Sequence, residues 1–409
     1  MSTAEAREAV TWAHHEEWAW VVAALTRRFG DLDIAEEAAA EAFATAVERW
    51  PADGVPPNPG AWLTTTANRK AIDRIRRENK RDDRQKEAHM LHDDPPGPPG
   101  AIDDDRLRLI FTCCHPALAM ETRLALTLRM VAGLTVSEIA RAFLVQETAM
   151  GQRITRAKAK IKAARIPYRV PSAEDLPARV SGVLTVLFLV FNEGYLASGP
   201  GTDPVRHDLT GEAIRLTRLI RALMPDDGEV AGLLALMLLI EARGAARVSA
   251  SGELVTLDEQ DRGAWDAALI AEGHQLVRER LVARVAPGRY QILAAINAVH
   301  TSARDIRDTD WAQILALYDQ LARLDPSPVI ALNRAIAVAE LDGPEVALAV
   351  IDRLEDKLAG YHAYHAARAD LLRRLGRNQE SRAAYDKAIE LAGNTAETAY
   401  LTRRRDQLE

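Results

Sequence analysis

Cysteine is nearly absent from this chain. The two that occur in 409 residues are neighbours, Cys113 and Cys114, which cannot build an ordinary disulfide framework and fit a reducing compartment. Aromatic residues make up only 5%, so the cores must be aliphatic. No apolar run approaches the roughly 20 residues needed to cross a bilayer; the longest, Val183 to Phe191 and Leu233 to Ile240, read as buried helices. The stretch from Met1 to Trp18 carries acids and lacks an apolar signal core, so the expected location is the cytoplasm, with no membrane partner. Metal spacing is missing too. His14-His15-Glu16-Glu17 lacks the two-histidine interval of a metalloprotease helix, and the adjacent Cys113-Cys114-His115 cannot all face one ion, so neither metal nor cofactor is expected. No nucleophile, base and orienter can be assembled, which argues against an enzyme.

What is present is charge, unevenly placed. The net charge of −7 comes from 52 basic and 59 acidic residues, yet residues 31–48 hold six acids and no base. Residues 69–86 hold nine bases against four acids, and residues 153–165 hold six bases and no acid. Residues 1–165 balance at 24 against 24, so the acidic surplus lies entirely beyond them. Concentrated basic patches of this kind suit a polyanion.

Ala, Leu, Glu and Arg dominate and apolar residues recur at three and four, so the chain is expected to be all-α. Ile34, Ala38, Ala42, Ala46 and Trp50 mark one helix, closed by Pro51; Leu63, Ala67, Ala71 and Ile75 mark another from Ala61 to about Arg77. The segment DDPPGPPGAIDDD should be a mobile tether, and a tighter, proline-marked linker runs from Ile166 to Pro177. A small hairpin is expected in ARVSASGELVTL, about Ala250-Ser251-Gly252. The resulting division is 1–80, a linker 81–104, 105–165, a helical middle domain 175–287, and 288–409. In the last segment Leu324, Leu358 and Leu391 fall 34 and 33 residues apart, and Tyr318, Ile351 and Tyr385 fall 33 and 34 apart. That is the tetratricopeptide period, implying about three degenerate helix pairs in a short solenoid able to take a signalling protein or peptide.

The chemistry lies in three segments. Gly133 ends one helix, Thr135 with Glu138 forms a capping box for the next, and after a turn near Leu144 to Gln146 a further helix has Met150, Ile154, Ala157 and Ile161 inward. Its outer face shows Thr148, Gln152, Arg153, Thr155, Arg156 and Lys158, long polar side chains able to reach base edges and phosphates. This is a helix-turn-helix with a recognition helix.

At these residues the chain resembles bacterial RNA polymerase sigma factors of the extracytoplasmic-function group, region four here and region two over residues 31–77. The subgroup it resembles carries a long C-terminal, tetratricopeptide-like extension. The resemblance implies core RNA polymerase as partner, through its β′ clamp helices and β flap, and promoter DNA at the −10 and −35 elements. Glu36, Glu37, Glu41 and Phe43 match the positions that dock on the clamp helices, with Ala40 standing where the family often has glutamine. Trp62 and Asn68 match the −10-reading element, although Trp62 is as well placed to be core. Arg69, Lys70, Arg74, Arg76 and Arg77 would hold phosphates, while Asp73 aims an arginine. Region four departs at Leu144, in place of a turn glycine, and at Gly151, in place of a base. The function so implied is promoter recognition and transcription initiation, regulated in cis by the C-terminal block, with bracing favoured over inhibition. The rival readings are a DNA-binding regulator with a helical sensor domain and a tetratricopeptide adaptor.

Overall fold

The computed structural model describes residues 3–81, 105–143, 145–196, 205–249, 253–283, 285–393 and 395–408. Among them no β-strand forms, and the chain divides into two compact units, 1–189 and 190–409. Most of the 81–104 linker lies outside the described residues.

The first unit holds α1 (Thr3–Phe29), α2 (Leu32–Asp53), α3 (Pro59–Arg81), α4 (Asp105–Cys113), α5 (Met120–Met130), α6 (Val136–Ala142), α7 (Glu147–Ala163) and most of α8 (Leu176–Tyr195), within which the division falls. Small residues let α2 lie close to its neighbours: Ala35, Ala38, Ala39, Ala42 and Ala46 are buried in a row with Phe43 and Trp50. The Asp31 carboxylate accepts the N–H groups of Asp33 and Ile34 at 2.8 and 3.2 Å, closing the start of α2. Pro51 does not end this helix as expected. The α-helix runs to Asp53 and stops at Gly54, whose φ of +83° suits glycine. In α8, Val180, Val183, Leu184, Val186, Leu187, Val190 and Phe191 are all buried, so its apolar length goes into packing. Cys113 and Cys114 are buried as well, and burial lifts the Cys114 thiol to about 11, which leaves it unreactive.

The second unit holds α9 (His207–Leu223), α10 (Gly228–Glu241), α11 (Ala267–Val282), α12 (Arg289–Ser302), α13 (Trp311–Leu324), α14 (Pro328–Leu341), α15 (Pro344–Asp352), α16 (Glu355–Leu358), α17 (His362–Arg374), α18 (Asn378–Leu391) and α19 (Thr395–Asp406). Its centre is α10, buried without interruption from Val230 to Leu239. The expected hairpin reduces to a single antiparallel bridge, Val248 to Leu254, with Ala250-Ser251-Gly252 outside the described residues. Helix starts repeat through the last segment: Trp311, Pro344 and Asn378 are 33 and 34 apart, while Pro328, His362 and Thr395 are 34 and 33 apart. Tyr318, Ile351 and Tyr385 each fall eighth in their helix, and Ile351 and Tyr385 are buried in one core with Leu358, Tyr364 and Leu372. Leu324 breaks the pattern, since it is 55% exposed where Leu358 is buried.

Candidate nucleic-acid interface

Helix α3 starts where the Asn58 carboxamide oxygen accepts the Ala61 N–H at 3.0 Å, and its inward row Leu63, Ala67 and Ala71 is fully buried. The opposite side displays Arg69, Arg76 and Arg77, all exposed. The other two bases of this helix face α2 instead. Lys70 lies 3.6 Å from Glu41, and Arg74 pairs with Glu37. Asp73 aims no arginine with its carboxylate; its backbone carbonyl accepts from Arg77 Nε at 3.3 Å. Trp62 is half-buried and packs edge-on to the buried Trp50, ring centres 5.6 Å apart, so one part of the ring is core and another faces out. The Asn68 Oδ1 is buried without a hydrogen-bond partner among the described residues.

Helices α6 and α7 form the helix-turn-helix. The capping box is complete: Glu138 N–H donates to Thr135 Oγ1 at 3.2 Å, and Thr135 N–H donates back to Glu138 Oε2 at 2.7 Å. Gly133, with φ +78°, closes α5, and a Cβ there would stand 2.8 Å from His14 and 2.9 Å from Trp18, so glycine is required by conformation and by space. Along α7, Met150, Ile154, Ala157 and Ile161 form the buried stripe. Thr148, Gln152, Thr155 and Arg156 are exposed and Arg153 is half-exposed, on the side able to enter a groove.

Lys158 departs from that face. Its side chain is only 9% exposed, and its ammonium sits 2.8 Å from Asp33 and against Glu36. Glu36 is buried and also takes the guanidinium of Arg129, which donates a second hydrogen bond to Leu134 O at 2.8 Å. One turn further on, Lys162 pairs with Asp31 at 2.8 Å. Burial works to raise the Asp31 pKa, but the Lys162 bond, the Ile34 and Asp33 amides and the Lys162 charge outweigh it and leave the group lowered. The acidic start of α2 and the basic end of α7 are therefore clasped together. Trp18 Nε1 donates to Met130 O at 3.1 Å, and Arg27 pairs with Asp105 at 3.2 Å, so α1 holds α4 and α5 on the same side. The Tyr168 hydroxyl lies 3.0 Å from the carbonyls of both Ala23 and Asp105.

Of the four residues matched to polymerase docking, the structure brings Glu37 and Glu41 to the surface. Glu36 is committed to Arg129 and Lys158, and Phe43 is 5% exposed, edge-on to His14 at 5.0 Å and tilted against Trp18 at 5.7 Å. Arg129, Lys162, Asp31 and Asp33 were not among the candidates. Their roles depend on partners as many as 131 positions away, for which local spacing holds no signal.

Comparison with known proteins follows the same division. Residues 15–81 match the family model described as sigma-70 region 2, and residues 108–161 that described as sigma-70, region 4. Residues 179–281 match a family of unknown function, DUF6596. An uncharacterized protein of Rhizobium meliloti (strain 1021) is 46% identical over 398 residues, covering 94% of this chain and 92% of its own length. No solved structure matches.

Proposed function

This chain belongs to the same family as the rhizobial protein and carries sigma-70 regions 2 and 4, which support a role in promoter recognition; from that premise we propose that it is an extracytoplasmic-function sigma factor. It binds core RNA polymerase, directs it to promoters and opens the −10 region by binding energy alone, in the cytoplasm. The observation that carries this reading is the pairing, in one chain and in sigma order, of an acid-bearing helix with two separate basic faces. Glu37 and Glu41 present the acid; Arg69, Arg76 and Arg77 form one basic face, and Arg153 and Arg156 with Gln152 and Thr148 form the other.

The acids dock on the β′ clamp helices, whose cations would replace Arg74 and Lys70 as partners. Such exchange costs little where the internal pairs are half exposed and lie on a surface, because exposed pairs contribute about 0–1 kcal/mol. Region four reads the −35 element through α7 and meets the β flap. Trp62, on the exposed side of its ring, stacks on an unpaired −10 base, a contact of about 1–3 kcal/mol. Lys158 joins the DNA face only when the clasp to Glu36 opens. Beyond the last basic helix, Tyr168 reaches α1 and the start of α4, and Arg179 donates to Phe111 O in α4, which supports a C-terminal block that braces region four. The helix pairs of 288–409 are read as tetratricopeptide-like, with a concave face for a protein or peptide signal.

Run-off transcription with purified core enzyme on the DNA upstream of the protein's own reading frame tests the assignment. Activity is expected from the full chain, and Glu37→Lys with Glu41→Lys should abolish co-purification with core while leaving helicity intact. Sequence-specific duplex binding without core, and no binding to core, would instead identify a DNA-binding regulator. A chain stopped at Ala164 is expected to lose promoter activity; stronger activation than by the full chain would make the block an inhibitor.

A further inference from the structure

The second unit contains a cavity of about 200 Å³ between α10, α11, α12 and α13. Its floor is made by small residues of α10. Gly232 lies so close to α12 that a Cβ there would stand 2.5 Å from the Gln291 nitrogen, and Ala235 continues the same face. The walls are aliphatic: Leu276 and Val277 of α11, Ile292 and Ala295 of α12, and Leu317 of α13.

One end differs. There the Arg280 guanidinium and the Gln291 carboxamide converge over Gly228, Nη2 and Nε2 standing 2.9 and 2.8 Å from where a Cβ of Gly228 would be. Arg280 Nε is buried with no hydrogen-bond partner among the described residues. The nearby carboxylate, Glu229, is directed at the start of α12, where it accepts the N–H groups of Tyr290 and Gln291 at 3.1 and 3.2 Å. Glu279, the acid adjoining Arg280, faces Arg221 at 3.6 Å. A guanidinium withdrawn from water at the end of an aliphatic cavity is stabilised by an anionic acceptor, because buried donors are costly unless matched.

We propose that this cavity is a binding site for a small organic monocarboxylate with an apolar body. The carboxylate meets Arg280 and Gln291, and the body lies between α11, α12 and α13. Size sets the class: a cavity of about 150 Å³ takes benzene, so about 200 Å³ takes a ring or a short alkyl chain with one carboxyl group, of benzoate or hexanoate size. Leu281 and Val285, exposed at the mouth, extend the apolar surface for a somewhat longer chain. The site uses residues on both sides of the end of the 179–281 match and does not depend on the promoter-recognition reading.

Calorimetric titration of the full-length protein with benzoate and with hexanoate tests the proposal, using hexan-1-ol and hexylamine as neutral and cationic probes of the same length. One saturable site per chain is expected for the acids, with a raised melting temperature, weaker binding of the alcohol and none of the amine. Arg280→Gln should weaken hexanoate roughly tenfold or more, the usual loss for a hydrogen bond to a charged group, and bring acid and alcohol level. Ala295→Leu, which fills the apolar end and keeps Arg280, should abolish both. The proposal is overturned if neither acid saturates at millimolar concentration, or if hexanol binds as tightly as hexanoate and Arg280→Gln changes neither.

Discussion

Glu36→Gln offers the sharpest test of the clasp between α2 and α7. The Glu36 carboxylate lies between two cations, Arg129 with a side chain 15% exposed and Lys158 with one 9% exposed. Removing its charge while keeping its shape leaves Arg129 with a backbone carbonyl, Leu134 O, and a position 5.8 Å over the Trp18 ring. Lys158 keeps only Asp33, which is 51% exposed and therefore screened. Breaking a buried ion pair by removing one partner costs about 3–5 kcal/mol, and the residual Asp33 contact places this case near the lower end. For a unit of this size each kcal/mol shifts the melting temperature by roughly 2–4 °C, so the first unit should melt roughly 6–12 °C lower.

Differential scanning calorimetry measures that shift, and hydrogen exchange localises it, with protection expected to fall in α2 and α7. Asp33→Asn is the reference, since the loss of its half-exposed charge should cost no more than about 1 kcal/mol. In a double-mutant cycle, Lys158→Met should cost less in the Glu36→Gln background than in the wild type, by about 1–3 kcal/mol. A Glu36→Gln protein as stable as Asp33→Asn, or an additive cycle, would refute the claim that buried charge pairing holds region four against region two.

Three further outcomes are expected. The Asp31 carboxyl is held below its ordinary value near 3.8, so its pairing with Lys162 contributes in full above that pH and is lost as pH falls through the lower folded value; acid unfolding of the first unit should lose this increment in Asp31→Asn. In the second unit the bond from Glu397 raises the His362 pKa against the effect of burial, so its contribution is complete below about pH 6.5 and disappears as pH rises through the raised folded value. Imidazole titration by NMR should show the elevation, and His362→Gln should remove that part of the alkaline decline in stability. Arg153→Ala with Arg156→Ala should weaken duplex −35 binding, and Arg76→Ala with Arg77→Ala binding to the opened −10 strand. Each lost phosphate contact should lower the salt slope by about 0.9 on duplex and about 0.7 on single strand, and identical effects of both pairs on both elements would show that the faces are not separate.

Local chemistry was legible in the sequence because it is decided within one or two turns. The capping box at Thr135 and Glu138 and the inner stripe Met150, Ile154, Ala157 and Ile161 appear as read, because periodicity and capping involve only neighbouring residues. Pro51 misled for a related reason: one proline near a helix end removes one hydrogen bond, and the helix continues to the glycine that can stop it. The direction in which a charged side chain points is a different quantity. Lys158 and Arg153 lie on the same basic helix with the same apparent outward role, yet only Lys158 sits opposite an acid from another helix. Phe43 shares the α2 surface with Glu37 in spacing alone, and the aromatic ring goes to the core beside Trp18 while the carboxylate stays out.

The same distinction bears on how the interface works. A run of acids followed at a distance by runs of bases reads as two partner-binding surfaces, one for a protein and one for DNA. Folded into one unit, the two runs are also each other's nearest counter-charges, so Asp31, Asp33 and Glu36 meet Lys162, Lys158 and Arg129 before either partner arrives. The contacts form a gradient. The Glu36 pairs are buried and persistent, whereas Lys162 is 76% exposed and Glu37 and Glu41 are half exposed. A cationic partner surface would therefore capture Glu37 and Glu41 first and reach Glu36 only by displacing Arg129 and Lys158. Release of Lys158 toward the DNA-facing side of α7 then follows from acid-side docking, which couples the two surfaces through charges that each would otherwise keep for itself.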